Sequence, residues 1–267
     1  MKDLRGSHTV LIDFWTYSCV NCIRTLPHLG EWYDKYAKLG LVIVGVHTPE
    51  FEFEKNVENV ARAIKEFDIE YPVVMDNDYQ IRSLYSNDTW PHEFLINKDG
   101  VAVYNHAGEG AYAVTEEAIQ AALKEINPNL ELPAIGGEEG GGGTCTLVTP
   151  ETYLGTMRGH AGKIWNFAGD WKTYPEYIEH EGKTDNFVDY LSINFEAAEV
   201  NLVMGAEGER AAKVRVELGG KLLKELDVRE PKMYNLLRDS KSTRGELRVF
   251  VRDQGVKMYA FTFGGCT

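Results

Sequence analysis

The chain has 267 residues, 43% hydrophobic and 26% charged, which is enough for two ordinary domains and too apolar for global disorder. A net charge of −13 argues against nucleic acid as a partner, because phosphate binding needs clustered Lys and Arg, and no apolar window approaches the roughly 18 residues of a membrane span. The acid excess lies mainly in residues 1–135, with 11 Lys and Arg against 21 Asp and Glu, so a basic or neutral partner approaches that half more readily. The opening "MKDLRGSHTV" lacks the apolar stretch of a secretion signal.

In chain order, "TVLIDFW" (Thr9 to Trp15) reads as a β-rich run, followed by a helix-compatible stretch from Cys19 to about Lys38 and a buried strand "LVIVGVH" (Leu41 to His47). The segment Phe53 to Phe67 places Val57, Val60, Ala61 and Ile64 on one helical face, and Pro72 opens the extended "VVM". Two short strands then surround the turn Lys98-Asp99-Gly100. Thr115 is expected to start a helix with an imperfect capping box, since Glu116 and Glu117 precede Ala118 at the third position. The order β-α-β-α-β-β-α implies an α/β unit, a mixed sheet flanked by helices. The Pro- and Gly-rich run "NPNLELPAIGGEEGGGGTC" cannot pack as an element and reads as a linker. The expected domains are therefore 1–130, a linker over 131–144, and 145–267. Beyond the linker, runs such as "LSINFEAAEVNLVM" alternate apolar with polar residues between turn signals "LGG" and "RDQG", an antiparallel all-β sandwich pattern.

Cys19 and Cys22 carry the chemistry. Cys19 sits where strand gives way to helix, and a helix N-terminus stabilises a thiolate through its unpaired N–H groups and dipole. Cys22, one turn on, is within reach of a mixed disulfide formed at Cys19. Zinc is the first alternative, but a structural site needs a second close pair of ligands. The other cysteines, Cys145 and Cys266, lie beyond the linker, and His28, His47, His92 and His106 are scattered singly. A purely structural clamp is the second, and a bridge between such near neighbours constrains the unfolded chain little. Asp13, at the end of a buried strand, should have a raised pKa suited to a general base.

"DFW", three residues, C-x-x-C and then Pro27 together resemble the thioredoxin superfamily over about Thr9 to Ile126. The resemblance implies a thioredoxin-like fold, an Asp13 that assists proton transfer at Cys22, and a cis-proline at Pro91 in "TWPHEFLI". Beside that proline the Trp90 backbone would receive an extended substrate chain. Pro27 implies only a kink in the first helix. Val20-Asn21 replace the Gly-Pro of thioredoxin between the cysteines, and Pro49 to Tyr85 looks like the insertion of TlpA-like and ResA-like thiol-disulfide proteins. A peroxiredoxin shares the fold, but the proline of its P-x-x-x-T/S-x-x-C arrangement is missing before Cys19.

Cys145 and Cys266 bracket the second domain, and a structural disulfide between them is expected, which points to an oxidising compartment. "WTYSCVNC", "TPETYLG" and "YAFTFG" together resemble the soluble C-terminal part of DipZ-type cytochrome c biogenesis proteins. That resemblance implies a second domain like a carbohydrate-binding jelly roll, an extracytoplasmic location, and a tether through a membrane-embedded electron-transfer module upstream. Trp165 and Trp171, within a cluster of Phe167, Tyr174 and Tyr177, are candidates for a glycan-stacking platform, although aromatics mostly fill cores. The expected function is a thiol-disulfide oxidoreductase acting on protein thiols and disulfides, with no dissociable cofactor. The alternatives are a glycan- or protein-binding module and a peroxidase.

Overall fold

A computed structural model describes residues 2–136, 148–158, 164–208 and 210–265. It divides into two compact units, Met1–Gly140 and Gly141–Thr267. Cys145 and Cys266, and with them the expected disulfide, lie outside the described residues.

The first unit contains β1 (Thr9–Trp15), α1 (Val20–Tyr36), β2 (Leu41–His47), α2 (Val57–Glu66), β3 (Val73–Met75), α3 (Gln80–Leu84), β4 (His92–Ile96), β5 (Ala102–Ala107) and α4 (Tyr112–Ile126). Its sheet has the order β3-β2-β1-β4-β5, with β1, β2 and β3 parallel and β4 antiparallel to both neighbours. Every residue of β1 is buried because it is the central strand, covered on both faces. Strand alternation then sorts its side chains. Val10, Ile12 and Phe14 pack with Ile81 and Tyr85, whereas Leu11 and Trp15 join the larger core formed with Leu26, Leu29 and Trp32 of α1 and Ile119 and Leu123 of α4. Asp13 has the phase of Leu11 and Trp15, so alternation drives its carboxyl into that larger core.

Two helix readings are corrected in part or whole. On the expected face of α2, Val60 is buried and Ile64 packs against the core, but Val57, 64% exposed, and Ala61 face outward and Ala63 is buried in their place, while Asn56 caps the helix through the N–H groups of Glu58 and Asn59. Thr115 does not start α4. The helix begins at Tyr112, and the Thr115 hydroxyl is buried inside it, bonded to Glu93 and Tyr104.

The second unit is all antiparallel: β6 (Thr152–Tyr153), β7 (Trp165–Ala168), β8 (Trp171–Thr173), β9 (Ile178–His180), β10 (Asp189–Ala206), β11 (Ala212–Leu218), β12 (Lys221–Val228), β13 (Lys232–Val251) and β14 (Val256–Gly264). Among the described residues, pairing joins these strands into one nine-stranded sheet along the path β12-β11-β13-β10-β14-β9-β8, with β6 on β14 and β7 on β10. β10 and β13 pair along nearly their whole length. Irregularities in that ladder around Ala197 to Asn201 change the phase of β10. Leu191, Ile193, Phe195 and Ala197 face the core before them, and Val200, Leu202 and Met204 after them. The other neighbour of β10 changes there too, from β7 to β14. Gly219 and Gly220, both at positive φ, form the two-residue turn between β11 and β12.

Candidate active site

The strand-to-helix junction after β1 sets the geometry. Cys19 is the N-cap of α1, in an extended conformation, and its Sγ accepts a hydrogen bond from the Cys22 backbone N–H at 3.4 Å. Cys19 is half-buried, whereas Cys22 inside the first turn is 1% exposed. The site thus has one reachable sulfur and one sheltered sulfur. Burial pushes the Cys22 thiol up, the neighbouring Cys19 sulfur adds to the rise, and Asp13 contributes further. Trp90 closes the other side, its carbonyl oxygen 3.9 Å from the Cys19 Sγ. The Trp90–Pro91 peptide bond is cis. The Trp90 ring is fixed by Nε1 donating to the Thr48 carbonyl at 3.1 Å and by the Arg82 guanidinium 4.4 Å from its centroid.

The turn Thr16-Tyr17-Ser18 leading to Cys19 is held by side chains that sequence reasoning did not single out. Thr16 Oγ1 lies 3.4 Å from His47 Nε2, and the Tyr17 ring stacks on the His47 ring with centroids 5.6 Å apart. Burial pushes His47 down to about 4, so the imidazole is neutral at physiological pH. The Ser18 hydroxyl donates to Glu54 Oε1 at 2.5 Å, and Glu54 Oε2 accepts from the backbone N–H groups of Glu50 and Phe51. Glu54 is fully buried, and burial pushes it up to about 7. One of two glutamates within "FEFEK" gives no sign of this role, because its partner Ser18 is 36 positions away.

Behind Cys22, one row crosses the sheet from Val73 through Gly45, Asp13 and Glu93 to His106. Asp13 is 1% exposed, burial pushes it up to about 7, and neither of its oxygens accepts a hydrogen bond among the described residues. Gly45 leaves space in this row, since a Cβ there would lie 3.0 Å from Trp15 Nε1 and 3.2 Å from the Tyr71 ring. Glu93, beside Asp13, is also 1% exposed. Burial first, and the Asp13 charge second, push it up to about 8. The sequence hides Glu93, because a Glu in "PHEFLI" looks like the solvent-facing member of an alternating strand. Among the described residues, no cluster of three or more His, Cys, Asp or Glu is placed to hold a metal.

The glycan candidates are placed differently from expectation. Trp165 is 5% exposed and belongs to the second unit's core, and Trp171 is half-buried with its Nε1 donating to the Ala168 carbonyl at 3.0 Å. The Trp165 ring stacks on Phe167, and the Trp171 ring lies tilted against Phe167 and His180, so both rings pack within the unit.

This fold and this dithiol define a thioredoxin-like redox protein, and comparison with known proteins agrees. Residues 1–105 match the AhpC/TSA family, and residues 160–264 match the family described as thioredoxin like C-terminal domain. The chain is 33% identical to the thiol-disulfide oxidoreductase ResA of Bacillus cereus over 48% of this chain and 68% of that protein. The chain belongs to this ResA-related family of thiol-disulfide oxidoreductases. It is also 36% identical to the protein DipZ of Mycobacterium tuberculosis over 78% of this chain, and it spans about a third of that relative, 32% of its length. A solved thioredoxin-like protein in its oxidised form is 28% identical, with a TM-score of 0.43, over 46% of this chain and 83% of that one. Among the described residues no helix is long and apolar enough to cross a membrane.

Proposed function

We propose that the chain exchanges disulfides with protein substrates outside the cytoplasm. Cys19 attacks a substrate disulfide, forming a mixed disulfide and expelling the other substrate sulfur. Cys22 then gives its proton to the Asp13 carboxylate and attacks the Cys19 sulfur. An internal disulfide forms, and the substrate leaves as a dithiol, reduced by the two electrons that the pair has lost. The cycle closes with a dithiol donor. We assign that part to a membrane-embedded electron-transfer module in the full-length protein, on the likeness to DipZ, with cytochrome c biogenesis as the pathway class. The Trp90 carbonyl beside Cys19 is positioned to pair with an extended substrate backbone. The redox domain is taken as residues 1–130. The β unit serves as a spacer or docking module rather than a glycan-binding jelly roll, since Trp165 is core.

One observation carries this reading: the asymmetry between a reachable Cys19 at a helix N-cap and a sealed Cys22 backed by a carboxyl without a hydrogen-bond partner among the described residues. Insulin reduction driven by dithiothreitol tests it. Cys19→Ser abolishes the activity, and Cys22→Ser accumulates a mixed disulfide with the substrate at Cys19. Full activity in Cys19→Ser removes the reading. Peroxide reduction is the second reading, favoured by the AhpC/TSA match. Consumption of hydrogen peroxide that depends on Cys19 supports it.

A further inference from the structure

The mechanism above uses one buried carboxyl, yet the site contains two. Asp13 and Glu93 are directly opposed in the β1–β4 ladder, so their side chains leave the sheet on one face with Cβ atoms roughly 5 Å apart. The groups facing them are Cys22 from α1, Tyr71 from the segment between α2 and β3, Thr115 from α4, and Tyr104 and His106 from β5. No Lys or Arg is among these groups. Two carboxylates so placed in a low-dielectric core cannot both be charged near neutral pH. The two carboxyls therefore share one charge, and Asp13 is the member that acts on the Cys22 thiol, which places Asp13 to take the Cys22 proton and Glu93 behind it.

A hydroxyl chain leads away from the pair. Thr115 Oγ1 donates to Glu93 Oε2 at 3.4 Å, and the Tyr104 hydroxyl lies 3.0 Å from Thr115 Oγ1. Tyr104 is half-buried on the edge strand β5, so the chain runs from the sealed core to the rim of the sheet.

We propose that Glu93 and Asp13 form a proton-sharing pair behind Cys22, in which Asp13 is the base and Glu93, acting through Asp13, stores and relays the proton. The inference rests on the roles given above to Cys22 and Asp13. The proton count balances. Cys22 gives its proton to Asp13, Glu93 releases its own proton along Thr115 and Tyr104 to water, and the Asp13 proton moves to Glu93, restoring the starting pair. Re-reduction runs these transfers backward. Glu93 touches no reacting sulfur in this scheme and is a positioning residue for the proton.

The test is the pH profile of insulin reduction by the whole chain. The wild type gives a bell, rising as the pair loses its first proton and falling as it loses its second. Glu93→Gln loses the alkaline limb and slows turnover by about tenfold or more, in the range of a lost proton-transfer group. Glu93→Asp restores the limb and most of the rate. Thr115→Val moves the alkaline limb to higher pH, because the Thr115 hydrogen bond holds Glu93 down. A purely structural Glu93 predicts a different result, a profile lowered in height and unchanged in shape, and that outcome overturns the proposal. Should Glu93→Gln fail to fold, Thr115→Val decides alone, since an unmoved alkaline limb also overturns it. Activity retained in Cys19→Ser sinks the underlying exchange reading. A dead Cys19→Ser together with wild-type profile shapes in both Glu93→Gln and Thr115→Val sinks only the pair.

Discussion

Each unit buries a titratable side chain completely, and the two treat it in opposite ways. In the second unit His180 has 0% exposure, and both ring nitrogens are engaged, Nδ1 with the Asp253 carbonyl at 2.9 Å and Nε2 with Asp189 Oδ2 at 2.8 Å. In the first unit both Asp13 oxygens, the Tyr71 hydroxyl and Trp15 Nε1 are buried without a hydrogen-bond partner among the described residues. Leaving such groups unpaired costs about 1–3 kcal/mol each. Pairing removes that cost, as it does for His180. The first unit tolerates the cost at the place where, in the proposed exchange, a proton leaves Cys22. Unpaired burial is not confined to this place, since the Asn201 amide nitrogen and the Thr262 hydroxyl of the second unit also lack partners among the described residues, but those groups are neutral, whereas Asp13 is an ionisable carboxyl.

Asp13→Asn is the strongest way to break that contrast. An acid whose pKa is raised on folding destabilises the fold once ionised. The penalty is absent below the unfolded value, near 3.8, grows as pH rises, and is complete above the folded value of about 7. Removing the charge should therefore stabilise the chain by about 4 kcal/mol at pH 8 and by almost nothing at pH 4, read from urea denaturation at the two pH values. The same variant should slow release of reduced substrate from the mixed disulfide by about 100-fold, the lower end for a lost general base. A variant that is neither more stable at pH 8 nor slower would show that the Asp13 environment is incidental.

His180→Leu is the converse. It removes the partner of Asp189 and takes the ring N–H donor from the Asp253 carbonyl, so the chain should lose about 2–3 kcal/mol in urea denaturation. Insulin turnover should stay at the wild-type level, because the proposed exchange uses only residues of the first unit. A neutral effect on stability would mean that paired burial in the second unit is not what holds it.

How far the sequence reveals these features depends on how local they are. The strands Thr9–Trp15 and Leu41–His47 are legible as continuous apolar runs, since a central strand of a sheet covered on both faces needs no polar side. The dithiol is legible from its spacing, and Asp13 because a carboxyl within "TVLIDFW" breaks an otherwise apolar strand. What remains hidden depends on distant partners. Glu93 becomes a core residue only because β4 pairs with β1 opposite Asp13, and Thr115 looks like a helix cap until α4 is seen to place its hydroxyl on Glu93. Trp165 and Trp171 show the same limit, since nothing local separates a ring that stacks on sugar from one that stacks on Phe167. The phase change in β10 is equally silent, because two adjacent alanines, Ala197 and Ala198, fit either face.

Glu54 sharpens the contrast at the smallest scale, because it lies in the first unit yet is treated as His180 is. Its carboxyl is fully buried and accepts from the Ser18 hydroxyl and from the N–H groups of Glu50 and Phe51. Its three hydrogen bonds fit a scaffold role, a brace for the turn before Cys19 and not a proton carrier. Ser18→Ala removes one donor and keeps both backbone N–H groups, so the stability loss should be about 1 kcal/mol, the net value of a single hydrogen bond. Alkylation of Cys19 should slow by only about threefold, in line with a slightly loosened turn, and the pH dependence of that alkylation should keep its shape. A changed shape would move Glu54 from brace to participant and would show that, in this fold, complete hydrogen bonding does not separate scaffold from chemistry.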